Sequence, residues 1–546
     1  MPATETISAP ILPYLPEAPD NRQKYAYFGK QRRWVFAWLL VASAGILYGY
    51  IHVAEHAWVV APLMWLLLMV MVPPVVVNFW LRIGPPRLTL ADHKAAVASY
   101  RESGETIDVF LPSCGESLAL LNNTFRYASE LEWHGTKITF VLDDSARAEV
   151  RDLADHYGFR YIVRPDPGAM KKAGNLIHAF GMSDGDFIAV IDADFAVRPE
   201  FLYETMPYFR DPKIGIVQTA QCFDVVDQSL PYIQRFAGTL QDIFFHHIQP
   251  ARDRYKAAIC AGTNLVYRRA AVVAAGGFAQ VPIGEDVHSG VKLWWAGYET
   301  RYLQLCLARG VAPVDFPSLA NQQARWCRSS MLLMTDKHFI EAPFTWQQRT
   351  AFWAAFLYYM SSAALLITGP FPALTMIWFF PARVHPHNYL VMLPALAATI
   401  FVFPMLSRGW RPTIFRVCVI NSCCHLYSVW YSVRGRVAEW VPTGASPRAG
   451  RVPVMVNRIL CTWIVLVEVL FWAGLALRVH QLGWKPFWAT EILGVVQLYM
   501  LAPLITPTKG VWGRSSAIDG DGGIRFTVPR RPNRPELPTT ADGAIR

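Results

Sequence analysis

The residues most able to do chemistry sit together in Ala189-Val190-Ile191-Asp192-Ala193-Asp194-Phe195. Four apolar residues, Phe187, Ile188, Val190 and Ile191, lead into two carboxylates spaced i, i+2. That is the pattern of a buried parallel strand ending at its carboxyl edge, where open α/β sheets bind ligands. Two carboxylates at such an edge repel each other at neutral pH, and a hard divalent cation bridging to a diphosphate is the usual remedy. An isolated Asp-x-Asp also reads as a plain strand-to-turn ending, so the rest of the chain decides.

Further polar clusters follow other apolar runs. Asp108 lies inside the first run and Ser113-Cys114-Gly115-Glu116 follows it; Asp143-Asp144-Ser145 closes the second. Lys171-Lys172-Ala173-Gly174-Asn175 stands before a helix, where an ammonium and backbone N–H groups could meet an anion. Gly284-Glu285-Asp286 opens another helix with acids at its N-terminus. Gln322-Gln323-Ala324-Arg325-Trp326 sets a planar fork of donors beside an indole. Each has a plainer reading as a dipole-favoured helix start, an interfacial anchor or a turn. Their order along the chain is harder to dismiss.

Between 83 and 344 the short apolar runs 107–111, 138–142, 161–163, 187–191 and 214–217 alternate with helical stretches such as 116–131 and 146–157. That is the βαβ pattern of one doubly wound, parallel sheet. Outside this window the chain changes character. Of its 546 residues 53% are hydrophobic, 20 are Trp and only 17% are charged, so much of the surface faces something other than water. Runs 34–51 and 58–81 make a membrane hairpin, and runs 350–368, 389–406, 454–477 and 487–505 make four later spans. Gly369-Pro370 and Pro372 should break the helix between them. The stretch 417–433 is apolar but laced with Asn421, Ser422, His425 and Ser428 and basic at both ends, which suits a helix lying in the membrane interface.

The expected organisation is a cytosolic segment 1–33, a transmembrane hairpin 34–82, a cytosolic domain 83–344, spans in 345–407, an interfacial helix and loop 408–453, spans in 454–506 and a disordered cytosolic tail 507–546. The formal net charge of +10 gathers beside the apolar spans, and no base-reading motif occurs, so nucleic acid is not an expected partner. The nine Cys show no Cys-x-x-Cys spacing, which supports neither a zinc site nor a disulfide framework. No basic region followed by an apolar core precedes residue 20, so the first span is expected to do the targeting.

Taken in order, Asp143-Asp144, Lys172-Ala173-Gly174-Asn175, Asp192-Ala193-Asp194, Val217-Gln218-Thr219, Gly262-Thr263-Asn264, Glu285-Asp286 and Gln322-Gln323-Ala324-Arg325-Trp326 resemble the processive inverting family 2 glycosyltransferases of the bacterial cellulose synthase-like group. The resemblance covers 108–326, and the last motif is its specific part. It implies a multi-pass α-helical protein of the plasma membrane with an inserted cytosolic α/β domain of the nucleotide-diphospho-sugar transferase, Rossmann-like type. It implies donor binding by Glu116, Asp143 or Asp144, Lys172, Asp192, Asp194, Gln322 and Arg325, with Asp192 and Asp194 also holding Mg²⁺ or Mn²⁺. Asp286, beside Glu285, would be the general base, and Trp326 and Thr263 would bind the acceptor. Trp440-Val441-Pro442-Thr443-Gly444 resembles the family's gating loop, in which Thr443 would close over the nucleotide.

The implied partners are a UDP-sugar, foremost UDP-glucose, a growing β-linked polysaccharide such as cellulose or a related β-glucan, the lipid bilayer, and accessory proteins for polysaccharide modification or export. The chemistry suits these roles: displacement at the anomeric carbon expels a diphosphate, which calls for a cation and an Arg fork, and the attacking hydroxyl must lose a proton to a carboxylate. The rival readings are a non-processive enzyme acting on a lipid or carrier and an inactive scaffold.

Several residues depart from the family pattern. Ser113-Cys114-Gly115-Glu116 lacks the aromatic expected near uracil, Phe195 replaces a His, Cys260 is displaced by one position, and Gly284 replaces a Thr. These changes surround donor and acceptor, so they weaken the naming of the sugar more than the reaction type. No room is expected for a cyclic-dinucleotide-binding barrel after the last span.

Overall fold

The computed structural model describes residues 14–28, 33–56, 61–101, 104–434 and 450–505. The expected gating loop with Thr443, and the tail 507–546, lie outside the described residues.

Helices α1 (Arg33–His56) and α2 (Ala61–Trp80) form the expected hairpin. No charged residue interrupts α2, and it continues through Pro73 and Pro74. The α/β domain then runs β1 (Ile107–Ser113), α3 (Leu118–Ser129), β2 (Lys137–Asp143), α4 (Ala148–His156), β3 (Arg160–Ile162), α5 (Lys171–Gly181), β4 (Phe187–Val190), β5 (Phe195–Val197), β6 (Ile214–Phe223), α6 (Tyr232–Ile243), β7 (Leu265–Arg268), α7 (Glu285–Trp295), β8 (Glu299–Gly310) and α8 (Phe316–Met334).

One sheet holds all eight strands in the order β3-β2-β1-β4-β7-β6-β8-β5. Alternation on each strand feeds two cores: Val109, Leu111, Val141 and Ala189 face one, while Phe110, Phe140, Ile188 and Val190 face the other. Burial on both faces is why β4 reads as an unbroken apolar run and β1 as a largely apolar one interrupted by Asp108.

The expectation of an all-parallel sheet needs correction. Strand β7 runs antiparallel to β4 and β6, and β5 runs antiparallel to β8. Neither β5, β7 nor β8 was visible as an apolar run, because β5 and β7 are short and β8 carries Arg301, Gln304 and Arg309 among its apolar residues. A second correction concerns cysteine: Cys222 of β6 and Cys306 of β8 form a disulfide, with Cα atoms 5.9 Å apart. Their separation of 84 residues hides a proximity that only strand order creates.

Strands β1, β2 and β4 are mutually parallel, so their carboxyl ends share one edge. The chain moves outward from β1 to β2 and β3 and then returns to β4 on the other side of β1. This reversal opens a crevice between β1 and β4 at that edge. The ends of β6 and β8 and the start of β7 reach the same edge, since β6 parallels β8 and both oppose β7.

The segment 14–28, within the expected cytosolic stretch 1–33, packs on the α/β domain. Asn123 Nδ2 donates to the Pro16 carbonyl at 2.8 Å. Buried Lys24 is held by Glu200 at 2.9 Å and by Glu204, while the Tyr27 hydroxyl donates to Asp242.

Beyond the domain come α9 (Trp346–Thr368), α10 (Phe371–Phe379), α11 (Phe415–Val433), α12 (Arg451–Leu482) and α13 (Trp488–Ile505). The helix breaks at Gly369-Pro370 as expected. Among the described residues five stretches are long and apolar enough to cross a membrane: Trp34–Glu55, Trp346–Phe379, Pro386–Met405, Arg451–Leu482 and Trp488–Ile505. With the charge-free α2 beside them, they make this a membrane protein. Helix α11 is not among them; Val417, Ile420, Cys424 and Tyr427 are buried with Phe316 and Ala320 of α8 and Val456 and Leu460 of α12.

Candidate active site

The carboxyl edge of the sheet and the helices beside it enclose a cavity of about 220 Å³. Of the residues singled out from sequence, Glu116, Asp144, Lys172, Asp192, Asp194, Thr263, Glu285, Asp286, Gln322, Arg325 and Trp326 all line it. Asp143 does not. It is fully buried, and its carboxylate accepts from the Ser145 and Arg147 N–H groups and the Tyr161 hydroxyl, each at 2.9 Å. The pleat thus separates two adjacent acids: Asp143 ties down the β2–α4 turn, and Asp144 faces the cavity.

Asp144 is gripped by the Arg164 guanidinium, Nε at 2.6 Å and Nη2 at 2.7 Å, and accepts the Gly168 N–H at 3.3 Å. This fork shapes the turn that leads into α5. Met170 and Lys171 there have φ of +52° and +55°, and the helix begins at Lys171 itself instead of after Asn175 as expected. No side chain caps this end, which leaves its first N–H groups and two ammonium groups together at the cavity wall.

Lys172 donates to Asp192 and, at 2.8 Å, to the Gly262 carbonyl. Burial works to lower its pKa, but Asp192, Glu285 and Asp286 outweigh that and raise it, so it stays charged. The loop before β7 is set by Gln218, whose amide donates to the Thr263 carbonyl at 2.8 Å and accepts the Ala261 N–H at 2.8 Å. Thr263 Oγ1 accepts the Asp192 N–H at 2.8 Å, so this residue positions the Asp192 backbone.

Asp286 sits in the first turn of α7 and its carboxylate lies against Gly262. Gly284, the N-cap, has φ +70°, and a Cβ there would fall 1.7 Å from Ser329 Oγ, which is why this chain has no room for the family's Thr. On α8, Gln322, Arg325 and Trp326 are spaced i, i+3, i+4 and present one face to the cavity.

Six carboxylates and only three cations line the cavity. Burial, with Asp192 and Glu116 adding repulsion, pushes Asp194 up to about 8. Burial likewise raises Glu116. It raises both members of the Glu285–Asp286 pair, with Asp286 adding to the rise of Glu285, while Lys172 and Arg325 oppose the rise of Asp286. A larger groove of about 800 Å³ lies at the other edge of the sheet, but its arginines are spoken for. Arg268 donates to the Ile214 and Asp211 carbonyls at 3.0 and 3.1 Å, and Arg269 pairs with Asp108 at 3.0 Å.

Residues 187–402 match the family model described as Glycosyl transferase family group 2. The UDP-forming cellulose synthase catalytic subunit of Pseudomonas fluorescens is 28% identical over 432 residues, 76% of this chain and 57% of that protein. Residues 187–402 are thus similar to family 2 glycosyltransferases, and the chain is similar to the bacterial cellulose synthase catalytic subunits. Cellulose synthase 2 of Novacetimonas hansenii is 30% identical over 270 residues, 48% of this chain and 17% of that one. The chain therefore spans little more than half, or far less, of the length of these relatives. A solved mannosyltransferase of Pyrobaculum calidifontis, in complex with GDP-Man and Mn²⁺, covers 66% of this chain and 98% of its own at 15% identity and a TM-score of 0.48.

The glycosyltransferase domain also uses residues that sequence reasoning passed over. Arg164 orients Asp144, while Gln221, Phe223 and Gln241 line the cavity. Arg164 carried one available signal, a cation directly before Pro165 at the end of a strand. Gln241 carried none, as one polar residue on an amphipathic helix.

Proposed function

We propose that this chain is a processive, inverting glycosyltransferase that takes a UDP-sugar, foremost UDP-glucose, at the cytosolic face of the plasma membrane. It extends a β-linked polysaccharide, cellulose or a related β-glucan, and passes it through its own helices, with accessory export or modifying proteins as partners. The observation that carries this reading is the convergence of Asp192, Asp194, Lys172, Asp286, Arg325 and Trp326 on one cavity. The wall that holds Trp326 belongs to α8, which shares a core with α11 and α12.

Lys172, the uncapped start of α5, Gln322 and Arg325 bind the diphosphate, and Asp144 and Glu116 border the nucleotide. Trp326 offers its face to the acceptor ring, an apolar contact that holds a sugar without fixing its register, as a sliding chain requires. Asp286 accepts the proton of the attacking hydroxyl while that oxygen bonds to the anomeric carbon. The bond from that carbon to the diphosphate breaks with its electron pair, UDP leaves, and the configuration inverts.

The acid excess fits a divalent cation: Asp194 is destabilised as an anion by burial and then by Asp192 and Glu116, and all the donors are hard oxygens. Among the described residues no group of three His, Cys, Asp or Glu side chains could hold a metal, so Asp192 and Asp194 would share Mg²⁺ or Mn²⁺ with substrate oxygens. When bound, the ion offsets charge developing on the leaving diphosphate.

The test is UDP release by the purified chain, in Mg²⁺ or Mn²⁺, from a panel of UDP-sugars. Release from at least one is expected, and release from none overturns the reading. Asp286→Asn should abolish turnover while UDP still binds; equal turnover in that variant removes Asp286 from its role.

A further inference from the structure

We propose that Gln241 recognises the acceptor, donating its side-chain amide to an oxygen of the neutral sugar seated on Trp326. The inference rests on the polymerase reading above and adds a specificity residue to it.

Gln241 lies in the last turn of α6, the helix that leaves β6 and packs beside α8 and α11. It lines the cavity and is only 7% exposed, yet its buried Nε2 has no hydrogen-bond partner among the described residues. A buried donor left unmade costs about 1–3 kcal/mol, so such a group needs a partner that arrives with the ligand. The neighbouring amides are already committed. Gln221 Nε2 donates to the Ala261 carbonyl at 2.8 Å, and Gln218 is spent on the Ala261–Thr263 loop.

The position is held from behind. Asp242, the next residue, takes the Tyr27 hydroxyl, and the Tyr27 ring stacks on His246 with centroids 4.6 Å apart. There the helix opens into a single π turn, Phe244–Ile248, a device found often at functional sites.

The chemistry of the wall names the ligand class. Gln241, Gln221 and Phe223 are neutral members of a lining otherwise rich in charged side chains. Gln322, whose amide nitrogen is the group that can donate to the diphosphate, also keeps a buried Oε1 in this cavity with no partner among the described residues, an acceptor left for a sugar hydroxyl. One amide donor, one amide acceptor and an indole face suit a hydroxylated ring better than a phosphate.

Removing one neutral hydrogen bond should weaken the hold on the growing chain about three- to tenfold. Gln241→Leu keeps the bulk and deletes the donor; Gln241→Glu keeps the shape and replaces the donor with an acceptor. Both are to be compared with the unmodified full chain in lipid nanodiscs, reading mean product length and the inhibition constant of UDP. Products shortened about three- to tenfold, with UDP inhibition within twofold of the unmodified chain, support the assignment. Unchanged product length in either folded variant overturns it and leaves the polymerase reading standing. A parallel shift in UDP inhibition also overturns it, by moving Gln241 to the donor side. Absence of UDP release by the unmodified chain removes both.

Discussion

Asp286 can be displaced without altering its chemistry, because Gly262 is packed against it. Gly262 has φ +82°, and a Cβ added there would lie 2.8 Å from Asp286 Oδ2 and 3.2 Å from Asp286 Cβ. An L residue in this conformation costs about 1–2 kcal/mol. The contact further requires either the carboxylate or the Cys260–Asn264 loop to move, since Cβ atoms essentially never approach so closely. Gly277 provides the control, with φ +87° and nothing within 4 Å of a new Cβ. Gly262→Ala and Gly277→Ala should therefore lose similar backbone stability, about 1–2 kcal/mol each, read by thermal unfolding of the detergent-solubilised chain. Only Gly262→Ala should also slow chemistry, and because misplacement by about 1 Å costs about a hundredfold, a loss of roughly ten- to a hundredfold in kcat is expected. The assay is initial-rate UDP release at saturating donor, with Asp286→Asn setting the floor. If the two alanine variants turn over equally, the position of Asp286 beside Gly262 is not what the reaction uses.

Lys24→Met should destabilise the domain by about 3 kcal/mol, because it strips a buried cation from Glu200 and Glu204, and an unchanged unfolding temperature would detach segment 14–28 from the fold. Asp194, at about 8 in the folded chain, keeps a proton that the unfolded chain gives up near the ordinary Asp value of 3.8, so stability should fall as pH rises between those values. Asp194→Asn should flatten that slope in metal-free thermal unfolding; a slope that persists assigns it elsewhere. Asp286 must be ionised to accept a proton, and its pKa is raised by burial, so activity should be lost on acidification earlier than for a solvent-exposed Asp. Arg325 opposes that rise, so in Arg325→Gln the acid limb of kcat/KM should move to higher pH, and a limb that moves down would contradict the coupling.

What the amino-acid order made legible follows a physical divide. Asp192, Asp194 and Asp286 were readable because each breaks a strong local pattern: an apolar strand that ends in acids, and a helix that opens with them. Asp143 and Asp144 are chemically identical neighbours, and only the pleat and the Arg164 fork decide which one faces the cavity. The start of α5 was misplaced because it depends on two left-handed residues, Met170 and Lys171, that no propensity signals. The packing of segment 14–28 was not legible because its anchors are side chains whose partners lie 176 and 215 residues away, for Lys24 with Glu200 and Tyr27 with Asp242. The mixed sheet was hidden for a similar reason. Strand β7 has only four residues and takes its direction from β4 and β6, so its polarity is a tertiary fact.

Helix α8 joins the acid-lined cavity and the apolar bundle within one chain. Its Gln322, Arg325 and Trp326 face the cavity, and a turn of 100° per residue places Ala320, Ala324 and Cys327 on the opposite side. Those three are buried, and two of them meet α11 directly: Ser428 Oγ donates to the Ala324 carbonyl at 3.4 Å, and Cys327 Sγ lies 4.0 Å from the His425 carbonyl. Side chains this small let two helices approach closely, which leaves little room to slide one without the other. The indole proposed to hold the acceptor is thereby fixed relative to α11 and α12, not merely to the sheet. A loose tether between domain and bundle would let a product wander between the two. A shared helix instead sets the proposed acceptor subsite and the bundle in one frame, the arrangement that the proposed handing of a chain from one to the other demands.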